Sequence, residues 1–150
     1  MTDLQAEPTG SAGRRTSTGA GRVLIAVYGI FALAATARAS VQLLTRYDEA
    51  PLAYLLSAVA GLIYIVATIT LARDTRASRR VALIAIIIEL IGVVTVGTLS
   101  VVFPEAFPRA TVWSLYGIGY GFVPLVLPIL GLAWLWHTRP DAPSPESVAS

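Results

Sequence analysis

The chain has 150 residues, of which 55% are apolar and only 13% charged, with a mean hydropathy of +0.70. A soluble domain carries about 25% charged residues, so these proportions leave too little polar surface for water. With no Cys, one His and a net charge of +2, the sequence offers no disulfide, thiolate or His-rich metal chemistry and no basic patch for nucleic acid, and no motif calls for a cofactor. Every basic residue is Arg, which fits the codon usage of a GC-rich genome better than a special need for guanidinium.

Residues 1–21 are rich in Gly, Ser, Thr and Ala. Such a segment buries too little apolar surface to offset its ordering entropy and is expected to be a disordered tail. The Pro- and Ser-rich residues 139–150 read the same way.

Four long apolar stretches lie between, in a domain over about 22–138: about 23–44, 52–72, 81–103 and 111–136. A helix needs about 20 residues to cross a hydrocarbon core of about 30 Å. Each stretch meets that length, and the period-2 alternation of a barrel strand is absent. The expected fold is therefore all-α, a polytopic membrane protein built as an antiparallel bundle of four transmembrane helices. The breaks are short, as an up-down bundle requires. Arg46–Pro51 is charged and places Pro51 in the first turn of the second helix, Arg73–Arg80 is a polar turn, and Pro104–Arg109 contains two prolines.

The arginines set an expected orientation. Arg14, Arg15, Arg22, the four in the 73–80 turn and Arg139 fall on one side; Arg46 and Arg109 fall on the other. Eight against two places both termini in the cytoplasm of a cell-membrane protein. Trp113, Tyr47 and Tyr54 then mark the outer interface, and Trp134 and Trp136 the inner one. His137 beside Trp136 reads as an interfacial residue. A competing reading takes Arg14–Ala37 as a signal peptide ending in Ala35-Thr36-Ala37, but apolar character resumes at Val41–Leu44.

Arg38 and Glu89 are the ionisable residues within the spans. A central charge costs about 2.5–3.5 kcal/mol on insertion scales, so both are expected to face the bundle interior or reach the interface. Counting from the cytoplasmic end puts Glu89 about 12 Å deep and Arg38 about 22 Å deep. Three partners are open to Arg38: Glu89 across that offset, Asp48 or Glu49 by snorkelling, and the Tyr120 carbonyl freed by Pro124. Tyr64 matches Glu89 in depth and is its expected hydrogen-bond partner. Glu89 either ties two helices together as a protonated acid or carries a proton where water reaches it. Gln42, Ser57, Thr68, Thr95 and Ser100 read as interhelical contacts.

In the fourth stretch Gly117 and Gly121 form a GxxxG, expected to allow close helix approach, while Pro124 and Pro128 bend the helix. The spacing is not G-x-G-x-x-G and follows no strand, so a nucleotide loop is set aside. No nucleophile–base set assembles from these residues, and no enzyme is expected.

The strings Thr36-Ala37-Arg38-Ala39-Ser40, Tyr47-Asp48-Glu49-Ala50-Pro51, Gly97-Thr98-Leu99-Ser100, Thr111-Val112-Trp113 and Gly119-Tyr120-Gly121-Phe122-Val123-Pro124-Leu125 resemble a family of small four-span actinobacterial integral membrane proteins, over about residues 22–136. The resemblance implies the four-span fold and no activity. The expected function is a non-catalytic accessory or structural membrane component, touching lipid and either further copies of itself or another membrane protein. The alternative is a small proton-coupled transporter or channel using Glu89.

Overall fold

A computed structural model describes the backbone of residues 12–139 and the side chains from residue 19 onward. The ends of the two expected tails, 1–11 and 140–150, lie outside the described residues. Four α-helices follow in order: α1 Ala12–Thr45, α2 Pro51–Arg73, α3 Arg76–Val102 and α4 Val123–His137. Short 3₁₀ turns occupy Tyr47–Glu49, Pro104–Ala106 and Ser114–Tyr120. α1 starts at Ala12, ahead of the expected start at about residue 23.

The protein is an all-α polytopic bundle. Gly19–Thr45 within α1, α2 and α3 are each long and apolar enough to cross a membrane. Their outward faces carry large apolar side chains, with Leu33 74%, Leu62 61% and Ile91 60% exposed. Faces of that kind require lipid as solvent.

Inward faces are small. α2 buries Ala53, Ser57, Ala60, Gly61, Tyr64 and Ala67, a stripe at three- and four-residue spacing. α1 opposes it with Ala32, Ala35 and Ala39. A Cβ on Gly61 would sit 3.2 Å from the Thr36 backbone nitrogen, so the two helices approach to backbone contact there. Without a hydrophobic drive between helices in lipid, such close packing carries the association.

Local chemistry explains the turns. Pro51 occupies the first turn of α2, as its fixed φ favours. Asp74 closes α2 in the left-handed region, and Thr75 starts α3 with a reciprocal cap: its hydroxyl accepts from the Ser78 N–H, and Ser78 Oγ accepts from the Thr75 N–H.

The fourth apolar stretch departs from expectation. It is not one helix over 111–136 but a pair, Ser114–Tyr120 and Val123–His137, bent by 97°. α4 has 15 residues and so reaches only about 22 Å. Antiparallel to α3, it sets Gly131 against Ile86, which puts Val123 near the level of Val94. The remaining turns of α3 are covered by the 3₁₀ segment: a Cβ on Gly97 would lie 2.6 Å from the Tyr116 ring, and Ser100 Oγ accepts from the Leu115 N–H at 2.8 Å.

The break lies before the prolines, not at them. Leu115, Tyr116, Gly117, Gly121 and Phe122 all have φ between 51° and 80°. Only glycine takes this region without cost; each other residue there costs of order 1–2 kcal/mol. Gly117 and Gly121 therefore form a left-handed corner rather than a helix–helix GxxxG face. Gly117 also lies against the Pro124 ring, 2.7 Å from where its Cβ would be. Pro124 falls in the first turn of α4, where its missing N–H has no helical partner to lose. Pro128 is inside α4 and removes a bond to the Pro124 carbonyl.

Candidate intramembrane polar site

Glu89 is the midpoint of α3, thirteen residues from Arg76 and thirteen from Val102. Its exposure is 0%. The Tyr28 hydroxyl of α1 donates to Glu89 Oε2 at 2.8 Å, while Glu89 Oε1 is buried with no hydrogen-bond partner. The Tyr28 and Tyr64 rings lie 6.2 Å apart at a tilt, joining α2 to the cluster.

The expected Tyr64–Glu89 hydrogen bond is not formed; Tyr28 takes that place. Tyr64 instead accepts from Trp113 Nε1 at 3.2 Å. Trp113 is 3% exposed and lies in the core, not at the outer interface where its sequence position put it. Two features bring it there. Thr111 Oγ1 accepts from the backbone N–H groups of Trp113 and Ser114, which folds the loop. Gly92, one turn beyond Glu89, leaves the ring its space: a Cβ would meet it at 2.8 Å. Gly131 does the same on α4, where a Cβ would be 3.2 Å from the Tyr28 hydroxyl.

Arg38 and Glu89 are not paired. Among the described residues the ion pairs are Arg79–Asp74 and Arg109–Glu49. Arg38, on the exposed side of α1, donates to the Tyr120 hydroxyl and sets its guanidinium 5.8 Å from that ring's centroid. Of the three partners open to Arg38, neither Glu89 nor Asp48 or Glu49 is paired with it, and at Tyr120 the side-chain hydroxyl rather than the carbonyl accepts. Phe31 fills the space between the two parts, with edge contacts to Tyr64 at 5.8 Å and Tyr120 at 5.9 Å.

The remaining polar residues are less engaged than expected. Ser57 and Thr68 donate to carbonyls of their own helix, Ala53 and Tyr64. Gln42 has a buried Oε1 with no hydrogen-bond partner. Tyr54 is buried rather than interfacial, its hydroxyl 3.4 Å from Glu49 Oε2. Tyr47, Trp136 and His137 are exposed.

Tyr28 and Trp113 are the two members of the cluster that sequence reasoning missed. A signal existed for Tyr28: counted from the same end, it lies within about 5 Å of Glu89 in depth. None existed for Trp113, whose position depends on the loop folding inward. No protein-family model matches the chain, and no similar curated protein or solved structure was found.

Proposed function

We propose that the chain is a non-catalytic component of the cell membrane, with both termini cytoplasmic and the Glu89 cluster acting as a structural clasp. The observation that carries this is the seat of Glu89: at the centre of α3, 0% exposed, and held by the Tyr28 hydroxyl, which itself lies against Gly131 of α4. A carboxyl packed in this way joins helices; a transport carboxyl needs a path for water. The eight-to-two distribution of arginines supports the orientation.

One observation favours a second reading, proton-coupled transport: Glu89 Oε1 is buried and unpartnered, which leaves a site for a proton or water. Pulldown from native membranes with mass spectrometry, run beside proton flux in liposomes for wild type and Glu89→Gln, separates the two. A stoichiometric membrane partner and no flux above empty liposomes is the expected result. Wild-type flux abolished by Glu89→Gln replaces the clasp with transport.

A further inference from the structure

The arginine-rich end of the bundle carries a groove between the start of α3 and the end of α4, with a volume of about 490 Å³. That falls within the range of about 300–1,000 Å³ found for ligand pockets. Its floor is apolar, formed by Leu83 and Ile87 of α3 and Leu132 of α4; its rim holds Arg79, Arg80, Trp136 and Arg139. The floor residues lie one to two turns deeper than Arg80, about 5–10 Å into the membrane.

The three arginines are not equivalent. Arg79 is a structural pin: it bonds Asp74 at 3.1 Å, the Leu135 carbonyl at 3.1 Å and Thr138 Oγ1 at 2.9 Å. Its charge is matched by Asp74. Arg80 is exposed and has no acidic partner among the described residues. Arg139 has none there either, and its guanidinium lies 4.8 Å from the Trp136 ring centroid, which holds it beside the groove. Two guanidiniums without an acidic partner among the described residues thus flank an apolar slot at the arginine-rich end of the bundle.

We propose that this groove binds one anionic phospholipid, its phosphate-bearing headgroup between Arg80 and Arg139 and an acyl chain along Leu83, Ile87 and Leu132. Charge complementarity favours an anionic headgroup over a zwitterionic one, because Arg80 and Arg139 give the rim two positive charges with no carboxylate partner among the described residues. The apolar floor selects a lipid over free phosphate. Basic pockets between membrane helices on the cytoplasmic side are a known type of headgroup site. The site concerns lipid recognition and stands whether Glu89 is a clasp or a transport group.

The test uses the full chain in detergent, with phosphatidylglycerol or phosphatidylcholine added at equal mole fraction. Thermal unfolding reads stabilisation, and native mass spectrometry counts retained lipid. Wild type is expected to gain stability from phosphatidylglycerol beyond that from phosphatidylcholine and to retain one copy. Arg80→Gln/Arg139→Gln is expected to lose about twenty-fivefold in affinity for phosphatidylglycerol, from about fivefold per arginine. Both side chains are exposed, so its melting point without lipid should match wild type. Arg73→Gln/Arg76→Gln, at the same end but outside the groove, should keep the preference. Equal response to the two lipids overturns the proposal without any variant. So does equal loss in both double variants, which reports general surface charge, or equal stabilisation by inorganic phosphate.

Discussion

Removing the Tyr28 hydroxyl is the sharpest perturbation of the Glu89 cluster. In Tyr28→Phe the ring remains against Tyr64, and only the donor to Glu89 Oε2 is lost. Because Glu89 Oε1 has no partner, the carboxyl then has no hydrogen bond at all. Leaving a buried acceptor unsatisfied costs about 1–3 kcal/mol. Interhelical hydrogen bonds in membrane proteins average about 0.6 kcal/mol and reach about 1.7. Between these limits, Tyr28→Phe should destabilise by about 1–2 kcal/mol. SDS-induced unfolding in mixed micelles measures it, with Glu89→Leu and the double variant completing a cycle. With the carboxyl gone, the hydroxyl has nothing to serve, so Tyr28→Phe should cost little in the Glu89→Leu background. A coupling within about 0.3 kcal/mol of zero, the usual scatter for independent sites, would mean that the bond does not clasp the helices.

The left-handed corner separates strain from crowding. Gly117→Ala combines φ +80° with Pro124 atoms at 2.7–2.9 Å, whereas Gly121→Ala has φ +63° and nothing within 4 Å. Gly121→Ala should cost about 1–2 kcal/mol and Gly117→Ala measurably more in the same unfolding assay; equal costs would refute the Pro124 contact. Gly92→Leu should expel the Trp113 ring from α3, seen as a red shift and increased quenching of tryptophan fluorescence against a Trp113→Phe control; unchanged spectra would place Trp113 elsewhere. Arg79→Gln should free the end of α4, since the Leu135 carbonyl and Thr138 both lose a donor, and faster amide exchange over Trp134–Thr138 than in wild type checks it.

The parts of the fold that depend on hydropathy and length were readable directly. α2 and α3 occupy the second and third apolar stretches because a 20-residue apolar run has few alternatives in lipid, and Pro51 marks a start through local chemistry alone; α3 begins at Arg76 behind the Thr75 cap, inside what reads as a polar turn. The fourth stretch was misread for a definite reason. Its hydropathy is that of a span, but Leu115, Tyr116 and Phe122 adopt left-handed backbone that nothing in those residue types announces. The GxxxG spacing of Gly117 and Gly121 serves a helix face and a turn equally well. In the site, depth counting brought Glu89 and Tyr64 to one level and separated Glu89 from Arg38. Depth alone carries no azimuth around the helix, and Tyr28, at a similar level on α1, faces Glu89 where Tyr64 does not. Trp113 required the loop fold set by Thr111 and Ser114, a tertiary fact. Tyr120 was seen as a carbonyl, and its hydroxyl became the Arg38 partner once the helix was broken.

Water access at Glu89 tests the clasp most directly. The chain has no Cys, so Glu89→Cys creates a single thiol at the centre of α3. In liposomes, a small water-soluble thiosulfonate should leave it unmodified under conditions where Arg46→Cys, in an exposed turn, reacts to completion. Modification of Glu89→Cys at a rate comparable to Arg46→Cys would show a water path to the centre of the bundle and contradict a dry structural clasp.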